Sequence, residues 1–255
     1  SICQLSNNKD NVEGYNDVLE NFSSSICELK AEVAKAWKES NINKSIAANV
    51  ERIARWEANL TKNQITSMLD LGGITNSKSG VFVKKNGNLT IGSIGSIEDV
   101  FEIKSTPPSV PAAQTYIIQN GNLVINSDIK YENASLTLGG LVNARKIPSA
   151  AFIVIDGNII IDKSVTQIDG ILMAIDLDGD GQDGKVTQDW PTTNLLKING
   201  SLIGNVYELF RNRTGAGDPK KDEGSVTVHY DSRILLNTPP GISELIDVRQ
   251  AVVPN

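Results

Sequence analysis

Two different rhythms of apolar residues divide the chain near residue 75. Before it, Ile26, Leu29, Val33 and Ala36 or Trp37 recur at helical spacing, with Ser23 or Ser24 positioned as N-cap. A longer stripe runs through Ile46, Val50, Ile53, Leu60, Ile65 and Met68, with Glu51 and Arg55 one turn apart on its polar face. Gly72-Gly73 would stop it, and a weaker helix covers Asn11 to Leu19. The spacing predicts an N-terminal α-helical hairpin or small bundle over residues 1–74, the second helix reaching from 43 to 71. Its stripes suit either an internal core or a seam between chains.

Beyond residue 80 the pattern becomes that of strands. Asn86-Gly-Asn-Leu-Thr-Ile91 recurs as Asn120-Gly-Asn-Leu-Val-Ile125, Asp156-Gly-Asn-Ile-Ile-Ile161 and Asn199-Gly-Ser-Leu-Ile203. Gly139-Gly-Leu-Val142 and Asp169-Gly-Ile-Leu172 are weaker echoes. A tight corner that tolerates positive φ, followed by a short β-branched strand, is what one layer of a stacked sheet requires. The expected fold class is therefore α+β: the helical segment, then a right-handed parallel β-helix (β-solenoid) over 81–241. Residues 242–255 are expected as a tail that caps the stack. Asn-Gly between apolar runs is also a hairpin signal, so an antiparallel β-sandwich is the alternative.

Composition sharpens this. Ile (29) and Val (19) together far outnumber Leu (20), which favours strands. A net charge of -6 argues against nucleic-acid binding, which depends on Lys and Arg against phosphates. The longest apolar runs are a few residues, too short for a membrane span. The chain opens at Ser1 without Met, as a processed product would, and a removed upstream signal or anchor is compatible with that.

The strongest chemical signal is Asp176-Leu-Asp178-Gly-Asp180-Gly181-Gln182-Asp183-Gly184. Carboxylates at positions 1, 3 and 5 with Gly at 6 match the start of a calcium loop, and Gln182 would offer its carbonyl at position 7. Clustered carboxylates repel one another unless a hard cation sits among them. Position 12 is Thr187 rather than Glu and no helix pattern follows, so this is not an EF-hand. The expectation is a calcium loop inserted near 176–184, held by Asp176, Asp178, Asp180, Gln182 and Asp183, or with Asp189 completing the shell; a solvated acidic turn is the alternative. The same stretch fits Gly-x-Gly-x-x-Gly at 179, 181 and 184, but its aspartates would repel a pyrophosphate.

The repeated phrases, Gly200-Ser-Leu-Ile-Gly-Asn205 and Tyr230-Asp-Ser-Arg-Ile-Leu-Leu-Asn-Thr-Pro-Pro-Gly241 resemble uncharacterised bacterial cell-surface proteins, some associated with pilus assembly, that carry a short right-handed β-helix with bactofilin-like rungs. The resemblance covers roughly residues 81–241. It implies an extracellular, cell-surface location and a structural role, and it brings no catalytic residues.

On that reading Cys3 and Cys27, in an oxidising compartment, would form a disulfide between the N-terminal arm and the helix that carries Ile26 and Leu29; two free thiols are the alternative. His229, the single histidine, sits on a strand pattern and reads as a packing or surface residue. The expected function is a non-enzymatic, calcium-stabilised structural protein of a surface layer, filament or appendage. Its partners would be copies of itself or other cell-surface proteins. An adhesin or glycan-binding module is the alternative. A polysaccharide-active enzyme using Asp156, Asp162, Asp169 and Asp176 is a further one, which the low aromatic content of 5% disfavours.

Overall fold

The computed structural model describes residues 58–71, 79–93, 100–105, 110–132, 144–213 and 225–242, all within the unit Lys44–Asn255. In chain order its strands are β1 (Ala58–Asn59), β2 (Gln64–Ile65), β3 (Val81–Lys85), β4 (Leu89–Ile91), β5 (Val100–Ile103), β6 (Ala113–Gln119) and β7 (Leu123–Ile125). There follow β8 (Asp128–Tyr131), β9 (Ser149–Ile155), β10 (Ile159–Ile161), β11 (Gln167–Ile175), β12 (Val186–Thr187), β13 (Leu196–Ile203) and β14 (Val226–His229). Two short helices, α1 (Tyr207–Asn212) and α2 (Arg233–Leu236), lie near the end.

The chain passes repeatedly between two sheets, with β5 and β6, β8 and β9, and β13 and β14 consecutive in the first. One runs β1-β3-β6-β9-β11-β13-β14, with β5 and β8 joined to it through β11; the other runs β2-β4-β7-β10-β12. The pairs within both sheets are parallel and in register, so Lys85, Gln119, Ile155 and Ile175 lie side by side, as do Leu89, Leu123, Ile159 and Val186.

The expected α+β class is therefore corrected. The described residues are mostly parallel sheet, with 46% in strands and no N-terminal helical bundle. The helix expected to run to residue 71 gives way to β1, β2 and a 3-10 turn at Met68–Leu71. The physical reason is competition. Leu60 and Ile65 are fully buried against the strand layers, and Leu60 N–H bonds to Val83 O at 2.8 Å. Tertiary sheet pairing overrides a helical spacing that local propensity only weakly favours. The expected helices before residue 58 lie outside the described residues, as do Cys3 and Cys27. The antiparallel sandwich is also overturned, because these pairs are parallel.

The corner geometry explains why Asn-Gly does not make hairpins here. A type I′ hairpin turn needs positive φ at both central residues. Asn120 (φ 54) and Asp156 (φ 50) have it, but Gly121 and Gly157 do not; at the first corner both Asn86 (φ 57) and Gly87 (φ 98) have it, yet β3 and β4 belong to different sheets and do not pair. The glycines serve a different purpose. A Cβ on Gly121 would lie 2.3 Å from Gly87 O, and one on Gly157 would lie 2.1 Å from Gly121 O. The corners stack backbone on backbone, and any side chain there would force them apart.

Between the sheets lies the main core. Leu89, Ile91, Leu123, Ile125, Ile159 and Ile161 are buried, while the alternate positions Thr90, Val124 and Ile160 are half-buried. Each fully buried side chain of this size contributes about 1.5–3 kcal/mol. Phe82, Tyr116 and Phe152 stack in register, with centroids 5.2 and 5.0 Å apart. The Tyr116 hydroxyl donates to Gln114 Oε1 at 2.5 Å, and burial holds it far above the usual phenol range.

The first sheet is apolar on its other face too. Val83, Ile117, Ile153, Met173 and Ile175 form a second cluster with Ile234 and Ile242. The C-terminal segment crosses this face. Thr115 Oγ1 donates to Pro240 O at 2.7 Å, Ser149 Oγ donates to Asn237 O, and Asn237 Nδ2 donates to Ile147 O at 2.6 Å. Ile242, the first residue of the expected capping tail, is buried in this cluster; residues 243–255 lie outside the described residues.

Candidate metal-binding corner

Besides the β1–β2 link at residues 60–63, four equivalent corners join the first sheet to the second among the described residues. Three take three residues each: 86–88, 120–122 and 156–158. The fourth, between β11 and β12, takes ten, 176–185. The acidic loop is thus a corner with an insertion. Asp176 occupies the place of Asn86, Asn120 and Asp156, and Gly184 continues the glycine stack by donating its N–H to Gly157 O at 3.0 Å.

A ladder of asparagine side chains ties the corners together. Asn88 Oδ1 accepts from Asn122 N at 2.9 Å, and Asn122 Oδ1 accepts from Asn158 N at 2.8 Å. Asn158 Oδ1 accepts from Lys185 N at 2.9 Å and so fixes the far end of the loop.

Asp156 fixes the near end. Its Oδ1 accepts from Leu177 N at 2.9 Å and Asp178 N at 3.3 Å. Inside the loop, Asp176 accepts from Gly179 N at 2.7 Å and Gly181 N at 2.9 Å; Asp178 accepts from Asp180 N, and Asp180 from Gln182 N. Gly179 and Gly181 have φ of 74° and 78°, which the bend requires.

Carboxylate oxygens of Asp156, Asp176 and Asp178 lie within 4.8 Å of one another. A calcium ion takes oxygens at about 2.3–2.6 Å, so oxygens on opposite sides of one ion are about 5 Å apart. The three carboxylates therefore fit around a single hard cation. Of the residues expected as ligands, the structure brings Asp176 and Asp178 into this group; Asp180, Gln182 and Asp183 lie elsewhere on the loop. Asp183 Oδ1 accepts from Asn158 Nδ2 at 3.3 Å. Burial first, and then the charges of Asp180, Asp178, Asp156 and Asp176, push its carboxyl above its ordinary value. Asp189 is exposed beyond β12.

Asp156 was missing from the expected ligand set. Its signal was in the repeat: the third phrase begins with Asp where the first two begin with Asn, in the layer directly before the acidic loop.

The other acids considered for catalysis have structural partners. Asp169 is buried and accepts from Tyr131 N (2.8 Å), Gln167 Nε2 (2.8 Å) and Asn199 Nδ2 (2.7 Å). Asp162 accepts from Ser164 N and Oγ. Neither belongs to the acidic triad. His229 is exposed at the end of β14. No helix among the described residues is long and apolar enough to cross a membrane.

No protein-family model, no curated protein and no solved structure matches the chain.

Proposed function

We propose that this is a non-enzymatic structural protein of a bacterial cell surface, a subunit of a layer, filament or appendage that is stabilised by calcium. The observation that carries the reading is the ladder of equivalent corners, Asn88 to Asn122 to Asn158 to Lys185, ending on an acidic loop. The polar side chains here serve to hold one layer on the next. Asp128 caps Thr166 and Gln167, Asp169 bridges neighbouring strands, and Asp156 holds the loop. Stacked layers of this kind give a stiff body.

Calcium would bind Asp156, Asp176 and Asp178 and cancel their mutual repulsion. With few charged ligands and no bidentate Glu, the affinity belongs to the extracellular range, about 10⁻⁴–10⁻³ M. The partners are copies of this chain or other cell-surface proteins.

Electron microscopy of the purified chain, in millimolar calcium and again with chelator, tests this. Ordered sheets or filaments that dissolve on chelation are expected. Dispersed monomers under both conditions would overturn the assembly role.

A further inference from the structure

We propose that the shallow groove between the Asp162–Ser164 turn and the Trp190–Asn194 loop is a saccharide-binding site. The groove lies past the acidic corner and goes beyond the structural reading, on which it does not depend.

Three observations converge. The groove has a volume of about 500 Å³ and is lined by Lys163, Ser164, Pro191, Thr192, Thr193 and Asn194. That volume is in the range of small-molecule sites. Its lining supplies an ammonium, three hydroxyls and a carboxamide, the groups that bond to sugar hydroxyls. Trp190 directly precedes the lining residue Pro191 in the chain and, 72% exposed, is the most exposed large apolar side chain among the described residues. An indole face carries negative quadrupolar charge, and the C–H face of a pyranose ring is apolar with weakly positive hydrogens, so the two stack.

The third observation is the frame behind the groove. Arg213 has no exposed side-chain surface. Its guanidinium donates to both walls, through Nη2 to Asp162 O at 3.0 Å and through Nη1 to Asn194 O at 3.3 Å. Its Nε donates to Gln188 Oε1, and Gln188 Nε2 in turn holds Trp190 O at 2.6 Å. Asn194 Nδ2 ties the walls directly, donating to Lys163 O at 3.1 Å. A buried cation needs several oxygen partners to offset its desolvation. Here two of those partners are backbone carbonyls of the groove walls, and the third is the Gln188 side chain. Walls fixed before binding lose little entropy on binding, and a weakly interacting ligand such as a sugar depends on that.

The free groups fit this ligand class. Lys163 and Thr193 are exposed on opposite walls, and the Asn194 carboxamide oxygen is available while its nitrogen is engaged. The hydroxyls serve neutral sugars, and Lys163 adds a contact for a uronate carboxylate.

The test is proton–nitrogen NMR on the full chain, following the indole N–H signal of Trp190, assigned with Trp190→Phe. The probes are the methyl glycosides of glucose, N-acetylglucosamine and galacturonic acid and their linear tetramers, raised to tens of millimolar. A saturable shift of the Trp190 signal with at least one probe is expected. Trp190→Ala, followed through the amide signals of Thr193 and Asn194, should weaken that binding by about tenfold or more, with an unchanged circular dichroism spectrum. Lys163→Gln should weaken galacturonate binding alone. Should Trp190→Ala fail to fold, Thr193→Glu, on an exposed position, should block the groove instead. No saturable movement of the Trp190 signal with any probe would overturn the proposal. So would binding that survives both Trp190→Ala and Thr193→Glu. The calcium response plays no part in this readout, so the two readings fail separately.

Discussion

Asn122 lies one layer before Asn158, and its Oδ1 accepts the Asn158 backbone N–H at 2.8 Å. The same bond joins Asn88 to Asn122 at 2.9 Å. The corner asparagines thus take over, outside the strands, the pairing that sheet hydrogen bonds provide within them.

Asn122→Ala leaves the Asn158 N–H without this partner and should cost about 1–2 kcal/mol. For a chain of this size that lowers the thermal midpoint by about 2–4 °C per kcal/mol. Asn122→Asp keeps the acceptor and should lose less. Thermal denaturation of the two variants decides it; equal losses would argue against the ladder.

The corner glycines differ in what restricts them. Gly157→Ala would place its Cβ 2.1 Å from Gly121 O and should cost more than about 3 kcal/mol, because backbone must move. Gly179 has φ 74° but nothing within 4 Å of an added Cβ, so Gly179→Ala should cost about 1 kcal/mol from conformation alone. Urea unfolding would rank them, and a reversed order would disprove the backbone stacking.

Calcium should raise the unfolding midpoint and magnesium should do so much less, since magnesium sheds its waters reluctantly. At a hundredfold excess over Kd the gain is about 2.7 kcal/mol. Asp156→Asn keeps an oxygen for Leu177 N but removes a charged ligand, and should shift the calcium midpoint upward by about tenfold. Asp183→Asn should shift it less. Calorimetry across a calcium series separates the two.

Acid should destabilise the fold through Asp70 and Asp128. Lys62, together with the N–H groups of Thr66 and Ser67, holds Asp70 well below the usual carboxylate range. Burial alone would raise Asp128, but bonds from Thr166, Lys130 and Gln167 outweigh it and hold it low. A lowered folded pKa means stability that is fully present above the unfolded value, about 3.9, and lost as pH falls through the folded one. Asp183 has the opposite sign: its raised pKa means that, without calcium, stability falls as pH rises from the unfolded toward the folded value. Midpoints measured between pH 2 and 7 should fall with acid, and less steeply in Asp128→Asn; an unchanged slope in that variant would remove Asp128 from the account.

Ser127 is buried and its Oγ has no hydrogen-bond partner among the described residues. Ser127→Ala removes an unsatisfied hydroxyl and should be neutral or stabilising by up to about 1 kcal/mol, as read by urea unfolding. A loss above that would mean the hydroxyl has a partner.

Much of the layered part was legible because its information is local. The phrase at 86, 120 and 156 places a left-handed residue, a glycine and a β-branched strand together, and those are backbone preferences of the residues themselves. The acidic loop was legible for the same reason: alternating carboxylates around glycines can be read within nine residues. The helical reading of 58–71 failed because Leu60 and Ile65 suit either a helix stripe or two short strands. Only the neighbouring strands, β3 and β4, make the strands the better choice.

What the sequence determined by itself was the corner chemistry, the alternation of the short strands and the acidic loop, since each depends on residues within a turn of one another. Tertiary structure decided the rest. The parallel register brings Asp156 to Asp176 and Asp178 across twenty residues and more of chain. The Arg213 guanidinium joins Asp162 to Asn194, and Asn237 to Ile242 cross the outer face of the first sheet. These pairings depend on which layer stacks on which, a sum of many small contact energies between distant segments that no single window of residues contains.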